Sequence, residues 1–107
     1  MIEKTIGEYE CARGQNASEN WALLSGAEQD HYWFHLSSFP SGYVVLRKSD
    51  PTTDEIREAA EFCLEGTKQK GMRNVYVDYT TCGNVVRGEK PGEARFKSNR
   101  KVRKIKL

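Results

Sequence analysis

Short, mostly apolar segments rich in aromatic and β-branched residues recur along this chain, a composition typical of β-strands. The clearest are residues 31–36, which are rich in aromatics, residues 43–48 and residues 74–80. Residues 4–13 predict a first strand, although their alternation is imperfect. The Pro-Ser-Gly turn at 40–42 separates two of these strands, so we expect those two to pair as a hairpin.

The three- to four-residue apolar spacing of a helix is strongest over residues 52–70. Thr52-x-x-Glu55 matches a capping box, in which each side chain bonds the backbone of the other residue. Gly66 or Gly71 would end this helix. The predicted apolar stripe consists of Ile56, Ala59, Ala60 and Cys63.

A shorter helix is predicted over residues 17–25, with Asn16 or Ser18 as its N-cap. Its apolar stripe consists of Ala17, Trp21 and Leu24, and we expect Trp21 in the core. After a turn at Pro91-Gly92, residues 93–97 and 101–107 predict either a final hairpin or a frayed tail. The fold class is therefore α+β: a single domain over 1–107, with a mostly antiparallel sheet, one main amphipathic helix and one shorter helix.

Three cysteines, with no CxxC pair among them, do not suit a disulfide framework or a closed zinc site. They are compatible with a reducing compartment. No apolar run approaches the ~20 residues that span a bilayer. We therefore expect a soluble, cytoplasmic protein with no membrane partner, no bound metal and no cofactor.

Charge is distributed unevenly along the chain. Residues 1–86 contain 8 Lys and Arg against 13 Asp and Glu (net 8 − 13 = −5), whereas the basic C-terminal segment 87–107 contains 9 against 2 (net 9 − 2 = +7). Such an imbalance is typical of a polyanion-binding surface. A solubilising tail is the alternative.

Catalytic constellations are poorly supported. Cys63 lies on the predicted apolar helix face, and a hydrogen-bonded structural role is the commoner explanation for His35. His31 and His35 on one strand would lie ~13 Å apart, too far for one metal ion. No phosphate-binding GxxxxGK[ST] or GxGxxG motif occurs. We therefore expect no enzymatic activity.

Aromatic side chains near a basic segment could stack on unpaired bases. For each candidate taken singly, packing in the core is the more common role. The candidates are Trp33, Tyr43, Tyr76 and Tyr79.

Three segments together resemble a known family. They are Gly14-Gln15-Asn16 with Asn20 and Leu23-Leu24, then Asp30-His31-Tyr32-Trp33-Phe34-His35, then Pro40-Ser41-Gly42-Tyr43-Val44-Val45-Leu46-Arg47. In this order they are similar to the NFACT-R (NFACT RNA-binding) domain family, in its standalone form, over nearly the whole chain. Where the family usually has histidine, this chain has Tyr43, whose hydroxyl could replace the hydrogen bond of the imidazole.

The resemblance implies a module that binds ribosomal or transfer RNA, with the ribosome as a partner in a quality-control-like context. The predicted RNA-binding residues comprise a polar group and a set of phosphate contacts. The polar group is Arg13, Asn16, Asn20, His35, Ser41, Tyr43 and Arg47. The phosphate contacts are Arg87, Lys97, Arg100, Lys101, Arg103 and Lys104. DNA binding and a protein-interaction adaptor that uses the basic tail are the alternatives.

Overall fold

Six of the described strands pair into one antiparallel sheet, and both of its faces are covered. The computed structural model describes residues 1–91 and 93–107, so the turn predicted at Pro91-Gly92 lies outside the described residues. The strands are β1 Ile2–Ile6, β2 Tyr9–Arg13, β3 Tyr32–Leu36, β4 Val44–Leu46, β5 Tyr76–Thr81, β6 Val85–Arg87, β7 Ala94–Phe96 and β8 Arg103–Lys106. The helices are α1 Ala17–Gly26 and α2 Thr53–Glu65, with short 3₁₀ turns at Cys82–Asn84 and Asn99–Lys101.

The strand order in the sheet is β1-β2-β4-β3-β5-β8, and each neighbouring pair is antiparallel. Strands β6 and β7 form a separate two-stranded sheet. The predicted α+β class is confirmed, and so is the hairpin of β3 and β4, in which Phe34 lies opposite Val44.

Residues 4–13 are two strands, so the prediction of one strand there was wrong. Strands β1 and β2 pair directly, and Ile6 lies opposite Tyr9. Gly7 makes the tight turn possible because it adopts φ of 61°, a left-handed conformation that costs glycine little. The side chains switch faces at this turn, which explains the imperfect alternation over 4–13.

Helix α2 packs on one face of the sheet. Its capping box at Thr52 and Glu55 is present as predicted, and its buried residues include Ala59, Phe62 and Cys63. Strand β3 contributes Phe34 and Leu36 to the same core. The helix ends at Glu65 with Gly66 as its C-cap, which confirms the first of the two predicted ends; the helix does not extend to residue 70.

Helix α1 and the small sheet cover the opposite face, where Trp33 and Val45 are buried. Asn16 is the N-cap of α1, because its side chain accepts from the Glu19 N–H. The buried residues of the helix are Asn20 and Leu23. Trp21 is half-buried and packs against this core, so its predicted place there is confirmed in part.

The final hairpin is also absent from the described residues, and that prediction was wrong. Strand β7 pairs with β6 in the small sheet, whereas β8 pairs with β5 at one edge of the main sheet. Asp78 lies opposite Lys104, and Tyr79 lies opposite Arg103. The basic segment is therefore part of the folded sheet and not a frayed tail.

Candidate nucleic-acid interface

The nine cations of segment 87–107 are all exposed. They are Arg87, Lys90, Arg95, Lys97, Arg100, Lys101, Arg103, Lys104 and Lys106. Within the described residues, two of the nine form ion pairs with carboxylates: Arg95 with Glu89 and Glu93, and Lys104 with Asp78. Most of the positive charge is thus free to face a polyanion.

Three of these cations line one groove. This cationic groove, of about 390 Å³, is lined by Arg100, Lys101 and Arg103 together with Tyr32, Ile56, Tyr79, Thr80 and Thr81. Tyr79 is half-buried and stacks on Phe34, with their ring centroids 5.8 Å apart. The groove can therefore offer cations to phosphates and the accessible parts of two aromatic rings, Tyr32 and Tyr79, to a base.

A buried asparagine fixes the segment that carries these cations. Asn84 is 5% exposed and its Nδ2 donates to Thr80 Oγ1 at 3.1 Å and to the Ser98 carbonyl at 2.9 Å. Its Oδ1 accepts from the Ser98 N–H at 2.8 Å. The Thr80 hydroxyl in turn donates to the Lys101 carbonyl at 3.0 Å. These hydrogen bonds hold residues 98–101 next to β5. This role of Asn84 was not predicted from the sequence, where its partners lie up to 14 residues away.

The other predicted phosphate contacts lie apart from the groove. The Arg87 guanidinium packs 4.8 Å from the Trp21 ring centroid and donates to Ser25 Oγ at 2.8 Å. Lys97 borders a pocket next to Cys82. Lys104 bonds Asp78 at 2.6 Å. The six predicted contacts therefore do not form one continuous strip.

Four residues of the predicted polar group meet in one place. This polar cleft, of about 590 Å³, is lined by Asn16, Asn20, His35 and Ser41 and also by Gln15, Ala17, Pro40, Gly42, Gly66, Thr67, Lys68, Gln69 and Pro91. The residues of α1, the β3–β4 loop and the end of α2 thereby come together. Lys68 was missed from the sequence because its neighbours in the cleft come from distant parts of the chain.

Ser41 mainly organises its own loop. Its hydroxyl accepts from the Leu36 N–H at 3.1 Å and donates to the Gly42 carbonyl at 3.1 Å. Asn16 is likewise engaged as the cap of α1. Both side chains therefore shape the wall of the polar cleft through bonds to the protein itself.

His35 is a neutral wall of the cleft. Its Nδ1 lies 2.7 Å from the Leu36 carbonyl, and since a carbonyl only accepts, Nδ1 carries the proton. Burial lowers the pKa of His35, and this outweighs the contacts with the backbone of Leu36 and with Asp78 that favour the charged ring. The ring also stacks on Trp33, with centroids 5.8 Å apart.

The remaining three predicted polar residues are elsewhere or are buried. Arg13 donates to the Phe62 carbonyl at 2.7 Å near the end of α2. Tyr43 is 1% exposed and belongs to the core, where burial raises the pKa of its hydroxyl. Arg47 lies 3.6 Å from a Glu10 carboxylate oxygen and lines a different pocket.

Two of the four stacking candidates are unavailable for stacking. Trp33 is 2% exposed and Tyr43 is 1% exposed, so their predicted alternative role in the core is the one observed. Tyr76 is 45% exposed, and Lys106 Nζ lies 6.0 Å from its ring centroid. Only Tyr76 and Tyr79 thus present ring surface among these four.

All three cysteines are free thiols and buried. Burial raises the pKa of Cys63 to about 11 and the pKa values of Cys11 and Cys82 to about 12. The described part of the chain contains no group of three or more His, Cys, Asp or Glu placed to hold a metal ion. Nor does it contain a helix of the length and apolarity that crossing a membrane requires.

Fold and site together define a small α+β module with an exposed cationic segment and a separate polar cleft. No protein-family model matches the chain. It is 35% identical over 92 residues to the Rqc2 homolog RqcH of Bacillus subtilis, which covers 83% of this chain and 16% of that protein. It is 31% identical over 109 residues to Protein JLP2 of Saccharomyces cerevisiae, covering 91% of this chain and 52% of that protein.

A coiled-coil domain-containing protein 25 homolog of Dictyostelium discoideum is 28% identical over 108 residues, covering 92% of this chain and 52% of that protein. The chain thus spans about half or less of the length of these relatives. Among solved structures, the C-terminal part of the fibronectin/fibrinogen-binding protein from Streptococcus suis superposes with a TM-score of 0.84 over 94% of this chain and 41% of that one. Since the identity there is 24%, this likeness shows the fold alone.

Proposed function

We propose that this chain is an RNA-binding module that contacts ribosomal or transfer RNA, in the cytoplasm and in a ribosome-associated quality-control-like context. It acts by binding and not by catalysis. The observation that carries the proposal is the cationic groove, where Arg100, Lys101 and Arg103 are exposed and form no ion pair within the described residues.

Electrostatics supports a polyanion as the partner of this groove. Released counterions favour the contact of each cation with a phosphate, without any need for a particular base sequence. The aromatic surface of Tyr79 in the same groove suits stacking on an unpaired base. The bases of a duplex are already stacked on one another and cannot reach it. The groove therefore fits single-stranded or looped RNA better than a regular duplex.

The relatives supply the cellular context of the proposal. The similarity to the Rqc2 homolog RqcH agrees with the resemblance of residues 14–47 to the NFACT-R family. That family implies ribosomal or transfer RNA as the ligand and the ribosome as the partner. Because the chain covers 16% of RqcH, the activity of that whole protein is not transferred to this chain.

Binding of matched RNA and DNA hairpins with identical loop sequences tests the proposal, with fluorescence anisotropy as the readout. We expect the RNA hairpin to bind more tightly, because contacts to the 2′-hydroxyl or to A-form shape exist only in RNA. Equal binding of both hairpins would favour a nucleic-acid module without RNA selectivity. If neither hairpin binds at 50 mM salt, the proposal is wrong, and an acidic protein partner becomes the better explanation of the basic segment.

A further inference from the structure

An amide donor without a partner among the described residues lines the polar cleft. Asn20 is only 7% exposed, and it lines the cleft at the amino end of α1. Its Oδ1 accepts from the Tyr43 N–H at 3.0 Å, which identifies the other amide atom as Nδ2, a donor. Within residues 1–91 and 93–107, Nδ2 has no hydrogen-bond partner. The buried side-chain atoms without a partner in those residues are Trp33 Nε1 and Arg47 Nε, so Asn20 Nδ2 is open to solvent and can donate to a ligand that accepts.

The charge of the cleft points to an anionic ligand. No described lining residue is acidic, and Lys68 supplies one exposed cation at the rim. Lys68 forms no ion pair in the described part of the chain. The ligand should thus combine a hydrogen-bond acceptor, for Asn20, with a negative charge, for Lys68.

The size and shape of the cleft fit a nucleotide. Its volume of about 590 Å³ lies within the range of small-molecule sites, and the flat ring of His35 forms part of its wall. Every base carries a ring nitrogen or carbonyl acceptor on its edge, and every nucleotide carries a phosphate. RNA-binding modules commonly hold single bases that have left the stack.

We propose that the polar cleft binds one unpaired nucleotide of the RNA, with an acceptor on the base edge bonded to Asn20 Nδ2 and the phosphate next to Lys68. This inference rests on the proposed function, which it deepens by adding a second contact away from the cationic groove. The groove would then supply affinity for the backbone, and the cleft would select RNA with a free, unstacked nucleotide.

Titration of the ¹⁵N-labelled protein with the four nucleoside 5′-monophosphates, followed by NMR, tests the proposal. We expect the Asn20 side-chain amide and the residues around Lys68 to shift. Ribose 5-phosphate should move the signals near Lys68 but not the Asn20 amide, because it lacks the base. Inorganic phosphate serves as the control for the charge alone.

Two variants separate the contacts. Lys68→Ala should weaken nucleotide binding about two- to fivefold, as expected for one exposed charge, whereas the matched control Lys70→Ala, outside the lining of the cleft, should leave binding unchanged. Asn20→Asp keeps an acceptor for the Tyr43 N–H but removes the donor, and should weaken binding about tenfold or more. If Asn20→Asp does not fold, the Lys68 and Lys70 pair still decides.

The outcomes distinguish this inference from the proposed function. Nucleotides that leave the Asn20 amide unmoved, or equal binding by Lys68→Ala and Lys70→Ala, overturn the cleft site. If RNA nevertheless shifts the signals of Arg100–Arg103, the RNA-binding function stands without it. If nucleotides shift Asn20 while longer RNA fails to bind, the cleft is a nucleotide site in a protein that is not an RNA-binding module.

Discussion

Removal of the three cations of the groove should change how RNA binding responds to salt. The variant is Arg100→Ala, Lys101→Ala and Arg103→Ala together. All three side chains are exposed, and none forms an ion pair within the described residues. Their removal should therefore alter the free energy of unfolding by no more than about 0.5 kcal/mol per site.

The magnitude follows from counterion release. For single-stranded RNA, each phosphate contact contributes about −0.7 to the slope of log K against log salt, so the loss of three contacts should reduce the slope by about 2. Between 50 and 200 mM salt, this amounts to about a 2.6-fold change per cation and about an 18-fold change for the three. The difference between wild type and variant should be largest at low salt.

Fluorescence anisotropy with a labelled single-stranded RNA, repeated at four or five salt concentrations, measures both slopes. The matched control is Lys4→Ala, Lys70→Ala and Arg73→Ala, which removes the same charge from exposed residues outside segment 87–107. The control should lower the affinity slightly through the net charge but keep the slope. If both variants reduce the slope equally, the groove has no special part in RNA binding and only the net charge matters.

Three further predictions concern the framework around the sites. Asn84→Ala should destabilise the fold by about 3 kcal/mol in urea unfolding, because it leaves the N–H and the carbonyl of Ser98 without their partner. An unchanged unfolding midpoint would refute this. Cys63, with its pKa raised to about 11 by burial, should react with iodoacetamide at pH 7.5 only after unfolding, as mass spectrometry can establish. Burial lowers the pKa of His35 in the folded chain. As the pH falls below about 6.5, the ordinary pKa of histidine, the unfolded chain is therefore protonated at His35 while the folded chain is not. The free energy of unfolding should therefore fall as the pH drops below about 6.5 and fall less in His35→Gln; parallel pH curves would contradict this.

Local chemistry made much of the fold predictable. The capping box at Thr52 and Glu55 fixes the start of α2 through contacts three residues apart, and it was visible in the sequence. The alternation over 31–36 placed Trp33 and Phe34 on opposite faces, and the structure buries them in different cores. Such features depend on residues a few positions apart in the chain, so they can be recognised in the sequence.

Pairing over long distances could not be predicted in the same way. Residues 93–97 and 101–107 are close in sequence and suggested a hairpin, yet β8 pairs with β5, and β7 pairs with β6. Strand β5 lies next to β8 in the main sheet. Pairing with β5 places Ile105 of β8 opposite Val77, which is buried. Tertiary packing thus overrides the tendency of neighbouring segments to pair.

The candidate site shows the same division. The sequence indicated a basic segment and a polar group, but the meeting of Asn20 with Lys68 in one cleft depends on where α1 and the end of α2 lie in the fold. The role of Asn84 was equally hidden. Asparagine is common in exposed turns, so the sequence does not show that this one is buried and bonded to Ser98. Charge is evident in composition, whereas partners and burial are set by tertiary structure.

Cations fixed on a paired strand differ energetically from cations on a mobile tail. Ordering the backbone of one residue costs about 1–2 kcal/mol, and a tail would bear this cost when it binds RNA. Here Arg103 lies on β8 opposite Tyr79, and hydrogen bonds from Asn84 and Thr80 hold residues 98–101, so the cost is met during folding. Each phosphate contact then contributes to affinity without an ordering penalty for the backbone. The same rigidity restricts which cations can act together, and so it favours an RNA whose phosphates match the groove over an arbitrary polyanion.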